Sequence, residues 1–292
     1  MIRTTLLAVV LITGSGFAAG QVQPSSDSDS VVFVGAGDIA NCDLLGGARA
    51  TATLLDGIPG TVFTLGDHAY QQGTTEEFRR CYEPTWGRHK ARTRPTPGNH
   101  DYRTARGRPY FEYFGANAGS DQRGYYSFDL GDWHIISLNS SLPRSLPAQM
   151  SWLREDLAAH PVDCVLAYWH APVHSSGPHA PDTSMREIWS ILYKAGADVV
   201  LNGHDHIYER FAPQDDRGRV DAEHGVRQFI AGTGGGGVYK MGRIAPNSEV
   251  RDNSAYGVLK LTLSPGRYAW EFVPIPGTSF KDEGAASCVA PR

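Results

Sequence analysis

Cysteine is scarce: only 4 of 292 residues. That is too few for a disulfide-built scaffold, so a hydrophobic core must hold the fold. Charge of one sign is equally lacking. Lys and Arg number 27 against 31 Asp and Glu, for a formal net charge of -4. This balance suggests no broad basic surface for nucleic acid. Long apolar runs are missing too, apart from a short one near the N-terminus, and none could span a membrane. Gly232-Thr233-Gly234-Gly235-Gly236-Gly237 is glycine-rich, but no Lys-Ser/Thr follows it, which excludes a nucleotide P-loop. It follows an expected strand and is read either as packed near the site or as a plain turn. With 41% hydrophobic and 20% charged residues the chain is neither disordered nor a coiled coil. What is abundant is Gly, at 33, and Pro, at 18, which announces many turns. Eleven His are present, and their placement carries the functional reading.

The N-terminus reads as an export signal. Met1-Ile2-Arg3 is a short positive start, Leu6 to Ile12 is apolar, and Ala18-Ala19-Gly20 supplies small residues. A membrane anchor is the alternative. The run is too short for about 30 Å of hydrocarbon, and Gly14, Ser15 and Gly16 interrupt it. Residues 1–20 are therefore expected to be a signal peptide and 21–30 a disordered leader. Residues 31–292 form the expected catalytic domain of a secreted or periplasmic protein. Four cysteines in an oxidising compartment allow three pairings. Cys42 and Cys81 flank motif loops and Cys164 and Cys288 share the second half, which favours Cys42–Cys81 and Cys164–Cys288. A buried, unpaired Cys164 is the competing reading.

The mature chain is a series of short apolar strands, each ending in a polar turn. Val31–Val34, Thr61–Leu65, Trp133–Leu138, Val165–Trp169 and Asp198–Leu201 have the continuous hydrophobicity of strands covered on both faces. Helices are expected at Ala48–Leu55, after the capping-box pair Thr74 and Glu77, at Gln149–Ala159, and after a second such pair, Ser184 and Glu187, with Gly196 as the stop. Beyond residue 225 the chain turns strand-rich: Gln228–Ala231, Gly257–Leu263 and Tyr268–Pro274, the last two joined at Ser264-Pro265-Gly266. This order predicts a mixed α/β sandwich.

Seven of the eleven His stand in the polar turns: His68, His100, His170, His174, His179, His204 and His206. Asp38, Asp67, Tyr70, Asn99, Asp101 and Asp205 accompany them. In open α/β sheets the ligand site lies beyond the carboxyl ends of the strands, so distant segments converge there. Imidazole and carboxylate suit Zn, Fe and Mn without any thiolate. A single Gly-Asp turn means little, because Asp and Gly are ordinary turn residues. Five such turns in one chain point to a metal centre.

The turns occur in the order Gly37-Asp38, Gly66-Asp67-His68-Ala69-Tyr70, Gly98-Asn99-His100-Asp101, His170 and Gly203-His204-Asp205-His206. In this respect the chain resembles the calcineurin-like metallophosphoesterases, and among them the purple acid phosphatases. The resemblance covers residues 31 to about 275. It implies a four-layer α-β-β-α sandwich with two mixed sheets. It also implies two metal ions, one held by Asp38, Asp67, Tyr70 and His206, the other by Asp67, Asn99, His170 and His204, with Asp67 bridging. Most of the wider superfamily has a His two residues after the first Asp. Here that position is Ala40, and Tyr70 is the available substitute. A phenolate ligand implies Fe(III) beside a divalent Zn, Mn or Fe. The fourth motif opens with Ala167 instead of Val, which affects only core packing.

Two metals can clamp the attacking and leaving oxygens of a phosphate ester and lower the pKa of a bound water. His100, next to Asn99, is assigned to protonate the leaving group, and Asp101 to orient His100. The resemblance adds His179 as a phosphate contact, with His174 weaker. His68 is not counted as a ligand, and Arg210 is read as structural. The expected activity is hydrolysis of small phosphate monoesters. A phosphodiesterase or nucleotidase on the same centre is the alternative, and a binding protein without catalysis a third possibility, against which the intact ligand set argues.

Overall fold

The computed structural model describes residues 29–142, 146–179 and 181–289. The expected signal peptide and all but the last two residues of the leader lie outside the described residues. Fifteen strands are described in chain order. They are β1 Val31–Ala36, β2 Ala40–Asn41, β3 Thr61–Leu65, β4 Ala69–Tyr70, β5 Thr93–Thr96, β6 Tyr126–Leu130, β7 Trp133–Ser137, β8 Cys164–Tyr168, β9 Val199–Asn202, β10 Tyr208–Phe211, β11 Arg227–Ala231, β12 Ser248–Asp252, β13 Gly257–Ser264, β14 Arg267–Pro274 and β15 Glu283–Ser287. The α-helices are α1 Leu45–Gly57, α2 Thr75–Glu77, α3 Arg108–Phe114, α4 Leu146–Ala159 and α5 Arg186–Lys194.

The strands build two large mixed sheets, ordered β15-β14-β13-β1-β3-β5 and β12-β10-β11-β9-β8-β7-β6. Alternation along each strand explains the layering. Phe33, Phe63, Leu65, Leu259 and Leu261 of the first sheet meet Ile135, Leu166, Tyr168, Val199 and Leu201 of the second. The opposite faces carry the intervening residues. Val34, Ala36, Val62 and Val258 lie under Ala48, Ala52 and Leu55 of α1. Ile136, Val165, Ala167 and Val200 lie under Leu153 of α4 and Ile188 and Leu192 of α5. Both faces of each central strand are thus apolar, which is why the runs were continuous. The result is the four-layer sandwich that the sequence implied.

Both favoured disulfides are present, Cys42–Cys81 with Cα atoms 5.2 Å apart and Cys164–Cys288 at 5.5 Å. The Thr74–Glu77 capping box forms, and a π-helical turn, Phe78–Tyr82, follows it. The second box does not form. Asp182 accepts from the Ser184 amide and hydroxyl instead, and Glu187 turns outward to Arg154 at 3.1 Å. A short Asp side chain ahead of the turn outcompetes the more distant Glu. Among the described residues, no helix is long and apolar enough to cross a membrane.

Candidate metal centre

Strands β1, β3 and β5 run parallel in one sheet, as do β7, β8, β9 and β11 in the other. The five motif turns leave the carboxyl ends of these strands. Backbone bonds tie them to each other: Asp38 N to Gly66 O at 3.0 Å, and Gly203 N to His170 O at 3.0 Å. The His204 amide crosses between the sheets to Asp38 Oδ2 at 2.8 Å. Three candidate ligands, Asp38, Asp67 and His204, have φ of 61°, 53° and 70°. Asp and His are among the few side chains that tolerate this left-handed region, at a local cost of about 1–3 kcal/mol each. The motif glycines answer to crowding. A Cβ on Gly98 would stand 2.2 Å from Asp67 Oδ1, and one on Gly203 2.6 Å from Asp38 Oδ2.

The side chains meet in two sets that share one atom. The Tyr70 oxygen lies 2.9 Å from Asp38 Oδ1, 2.9 Å from His206 Nε2 and 3.3 Å from Asp67 Oδ2. A phenol has a single proton, so it can satisfy only one of these three electron-rich neighbours. His170 Nδ1 stands 2.6 Å from Leu65 O, which assigns its proton to that nitrogen in the neutral ring. In that neutral form Nε2 faces Asn99 Oδ1 at 2.9 Å, His204 Nδ1 at 3.2 Å and Asp67 Oδ2 at 3.3 Å. Lone pairs crowd at about 3 Å, the spacing of donors around a cation held at 2.0–2.2 Å. Asp67 Oδ2 belongs to both sets. The residues therefore fit a pair of metal ions that would share Asp67 as a ligand.

The electrostatics agree with that fit. Burial opposes the charge of Asp67, yet His170 and His100 hold its carboxyl below the usual range. Asp38 behaves alike: burial opposes its charge and His206 overcomes it. Burial depresses His170, but Asp67 and Asp38 push its imidazole up to about 10. Burial and the neighbouring His170 bring His204 down to about 4. Two buried carboxylates thus draw positive charge into the site. Burial, with Asp38 and Asp67, raises the Tyr70 phenol well above its ordinary value.

The other expected residues divide. His100 lies at the centre: Nε2 is 3.9 Å from Asp67 Oδ2 and its amide donates to Asp67 Oδ1 at 2.8 Å. Its Nδ1 is held by the Gln71 carbonyl at 2.8 Å, not by Asp101. The orienting role given to Asp101 is therefore corrected. Asp101 is buried and accepts from the amides of Asp67 (2.9 Å), Gly98 (2.8 Å) and His68 (3.2 Å), and from His68 Nδ1 (2.9 Å). It builds the turn that presents Asp67. His68 is buried among Phe78, Tyr82, Tyr110 and Phe114, with Nε2 on Thr64. It points to neither metal site nor solvent. His179 reaches the centre, its ring 4.3 Å from that of His204. His174 packs on Trp189 and Phe211 instead, and burial brings it down to about 4.

Three features had no role assigned from the sequence, and for the glycine loop packing near the site stood beside a plain turn. Asp205, inside the last motif, is fully buried and holds His179 by its amide (3.2 Å) and Nδ1 (2.8 Å). Tyr239 stacks on His206 with ring centroids 3.9 Å apart, and burial and three nearby Asp raise its phenol to about 12. The glycine loop is no free turn. Gly234 and Gly236 donate to Gly37 O (2.8 Å) and Asp38 O (2.7 Å), and a Cβ on Gly236 would lie 2.6 Å from the Tyr70 ring. A glycine run following a strand was its visible signal.

Comparison with known proteins bears on this geometry. The family model described as calcineurin-like phosphoesterase matches residues 32–208, more than half of the chain. Purple acid phosphatase 15 of Arabidopsis thaliana is 29% identical over 197 residues, covering 54% of this chain and 37% of its own length. Human acid phosphatase type 7 is 28% identical over 191 residues, covering 54% and 42%. The chain spans less than two thirds of the length of these relatives. Among solved structures, a purple acid phosphatase from yellow lupin (Lupinus luteus) seeds superposes with a TM-score of 0.69 at 18% identity, covering 88% of this chain and 54% of that one. That likeness establishes the shared fold.

Proposed function

The chain belongs to the calcineurin-like phosphoesterase family, and within it is purple acid phosphatase-like; from that premise we propose that it is a binuclear-metal phosphatase acting on small phosphate monoesters. The observation that carries the reading is that the Tyr70 oxygen and His170 Nε2, one from each set, both lie 3.3 Å from Asp67 Oδ2. Asp38, Asp67, Tyr70 and His206 would hold one ion, and Asp67, Asn99, His170 and His204 the other. Two such ions supply Lewis-acid polarisation of the phosphoryl group and a nucleophile at neutral pH.

The chain's own residues supply the rest. The Gln71 carbonyl fixes His100 by Nδ1 and leaves Nε2 on the Asp67 side, where it can protonate a departing alkoxide. His179, held by Asp205, is placed to bond a phosphoryl oxygen. Tyr70 argues for the metal's identity. Burial keeps its proton tightly held, so a strongly charged ion is needed to displace it, and Fe(III) beside Zn, Mn or Fe meets that need. The two disulfides support export to an oxidising compartment.

The test is metal analysis, visible absorption and turnover on natively purified protein. Two metals per chain including iron, a visible band, and faster hydrolysis of 4-nitrophenyl phosphate than of bis(4-nitrophenyl) phosphate are expected. Asp67→Asn should lose metal and turnover together. Two bound metals with no turnover of either ester would remove the enzymatic reading. Faster diester hydrolysis would move it to a phosphodiesterase.

A further inference from the structure

Two histidines outside the motif turns meet at the other end of the second sheet. His134 stands near the start of β7 and pairs with Val165, near the start of β8. His170 lies past the opposite end of β8, about 16 Å further along at about 3.3 Å per residue. His134 is buried with a carboxylate at each ring nitrogen: Asp129 Oδ1 is 2.8 Å from Nδ1, and Asp156 Oδ2 is 2.9 Å from Nε2. His160, just past the end of α4, stacks on it with ring centroids 4.3 Å apart and planes 14° apart. Its Nδ1 lies 3.6 Å from Asp156 Oδ1. One donor atom from each of His134, Asp156 and His160 thus falls within 4.8 Å of the others.

A neutral imidazole has one proton for its two carboxylates. With that proton on Nδ1, Asp129 orients the ring and the Nε2 lone pair points at Asp156 Oδ2. Lone pairs then crowd as they do at the candidate metal centre. A carboxylate bonded to the far nitrogen is the support that metal-binding histidines usually have. Ser127 Oγ, 2.7 Å from Asp156 Oδ1, steadies the second donor. The His160 ring is 41% exposed and can turn. Its Nδ1 bonds the Asp156 carbonyl at 2.8 Å, but that carbonyl also receives the His160 amide at 3.1 Å and stays bonded when the ring leaves.

The surroundings favour a cation. Among the described residues Asp156 pairs with the two imidazoles and with no Lys or Arg. Beside the cluster, a cavity of about 400 Å³ is lined by Asp129, Asp132 and Asp163, with no basic residue on its wall. The basic residues on the His160 side, Arg154 and Lys194, are engaged by Glu187 at 3.1 Å and Asp216 at 3.9 Å. A cleft lined by one sign of charge concentrates the opposite ion.

We propose that His134, Asp156 and His160 bind a divalent ion of the zinc class, which clamps the end of α4 to the start of β7. Two imidazoles and a carboxylate are a zinc donor set, and water completes the tetrahedron on the exposed side of His160. The site shares no residue with the candidate metal centre and does not depend on the phosphatase reading. A second proton on His134 is the competing way to serve both carboxylates. Burial opposes it, but Asp156 and Asp129 raise the imidazole above its ordinary value. Binding therefore releases a proton from His134.

The experiment counts zinc. Wild type, Asp67→Asn and the His160→Gln derivative of each are stripped, equilibrated with zinc chloride, desalted and analysed for metal by mass spectrometry. Each His160→Gln protein should hold about one ion fewer than its parent. The Tm rise that zinc gives Asp67→Asn should shrink in its His160→Gln derivative. His224→Gln, at a histidine outside both clusters, should match its parent. Asp129→Asn leaves all three donors in place. Made in Asp67→Asn, it should weaken zinc binding about 10- to 100-fold by calorimetry, because the His134 ring loses its support. Equal zinc content in parent and His160→Gln overturns the site, as does an equal loss in His224→Gln. Should His160→Gln fail to fold, Asp129→Asn decides, and an unchanged affinity overturns the site. Every comparison is with its own parent, so the site stands if the phosphatase reading falls, and that reading stands if the site does not bind zinc.

Discussion

Asp101 separates a structural from a catalytic role most sharply. Its carboxylate receives four N–H groups in a dry environment. In Asp101→Asn one oxygen can remain at the Oδ2 position, facing Asp67 N, Gly98 N and His68 Nδ1. The new amide nitrogen then opposes the His68 N–H, donor against donor. One bond is lost and three fall from charged to neutral strength, so the cost should be about 2–5 kcal/mol. For a chain of this size that corresponds to a Tm drop of roughly 5–15 °C. The drop should persist after the metals are stripped with chelator, because three of the four bonds go to backbone amides. Metal content should fall too, since the turn carrying Asp67 loosens. Differential scanning calorimetry on loaded and stripped protein, with metal analysis, measures both. A variant with Tm within about 2 °C of wild type, full metal content and a collapsed kcat would refute this account. It would restore Asp101 as the residue that orients His100.

His100→Ala should keep both metals, because no metal contact is assigned to it, and kcat should fall about 10²- to 10⁴-fold. The loss should be smaller for 4-nitrophenyl phosphate than for an alkyl phosphate, whose leaving group needs a proton; equal losses would rule out the acid role. Asp198 offers a pH test of stability. Burial pushes its carboxyl up to about 7, against bonds from Val165 N at 2.8 Å and Val289 N at 2.6 Å. A carboxyl raised in the fold contributes stability below its unfolded pKa near 3.8, and loses it as pH rises through about 7. Relative to wild type, Asp198→Asn should therefore gain in Tm between pH 4 and pH 8, and a constant difference across that range would contradict the burial argument.

Most of the candidate ligand set was legible because its motifs follow short apolar runs, and a run with no polar face must be a strand covered on both sides. That covering fixes where the turns emerge: Leu65 ends β3 and Tyr168 ends β8, both in the core between the sheets. Asp67 and His170 then have nowhere to go but the common end. Strand β5, which leads to Asn99, gave no such signal. Its sequence Thr-Arg-Pro-Thr has no apolar run, and its Pro is tolerated because β5 is the edge of its sheet. Edge strands β12 and β15 alternate exposed and half-buried residues and were equally silent.

What was not legible is which polar residues face each other across the turns. Asp101 and His100 are adjacent in sequence, and adjacency made Asp101 the natural partner. In the fold the two side chains diverge, Asp101 inward to His68 and the amides, His100 outward to Gln71. His68 alternates with the candidate ligands Asp67 and Tyr70, yet the aromatic wall of Phe78, Tyr82, Tyr110 and Phe114 claims it. That wall comes from a π-turn and a helix that the motif itself does not contain. Charged residues near an active site are thus read correctly only after their alternatives have been counted in three dimensions.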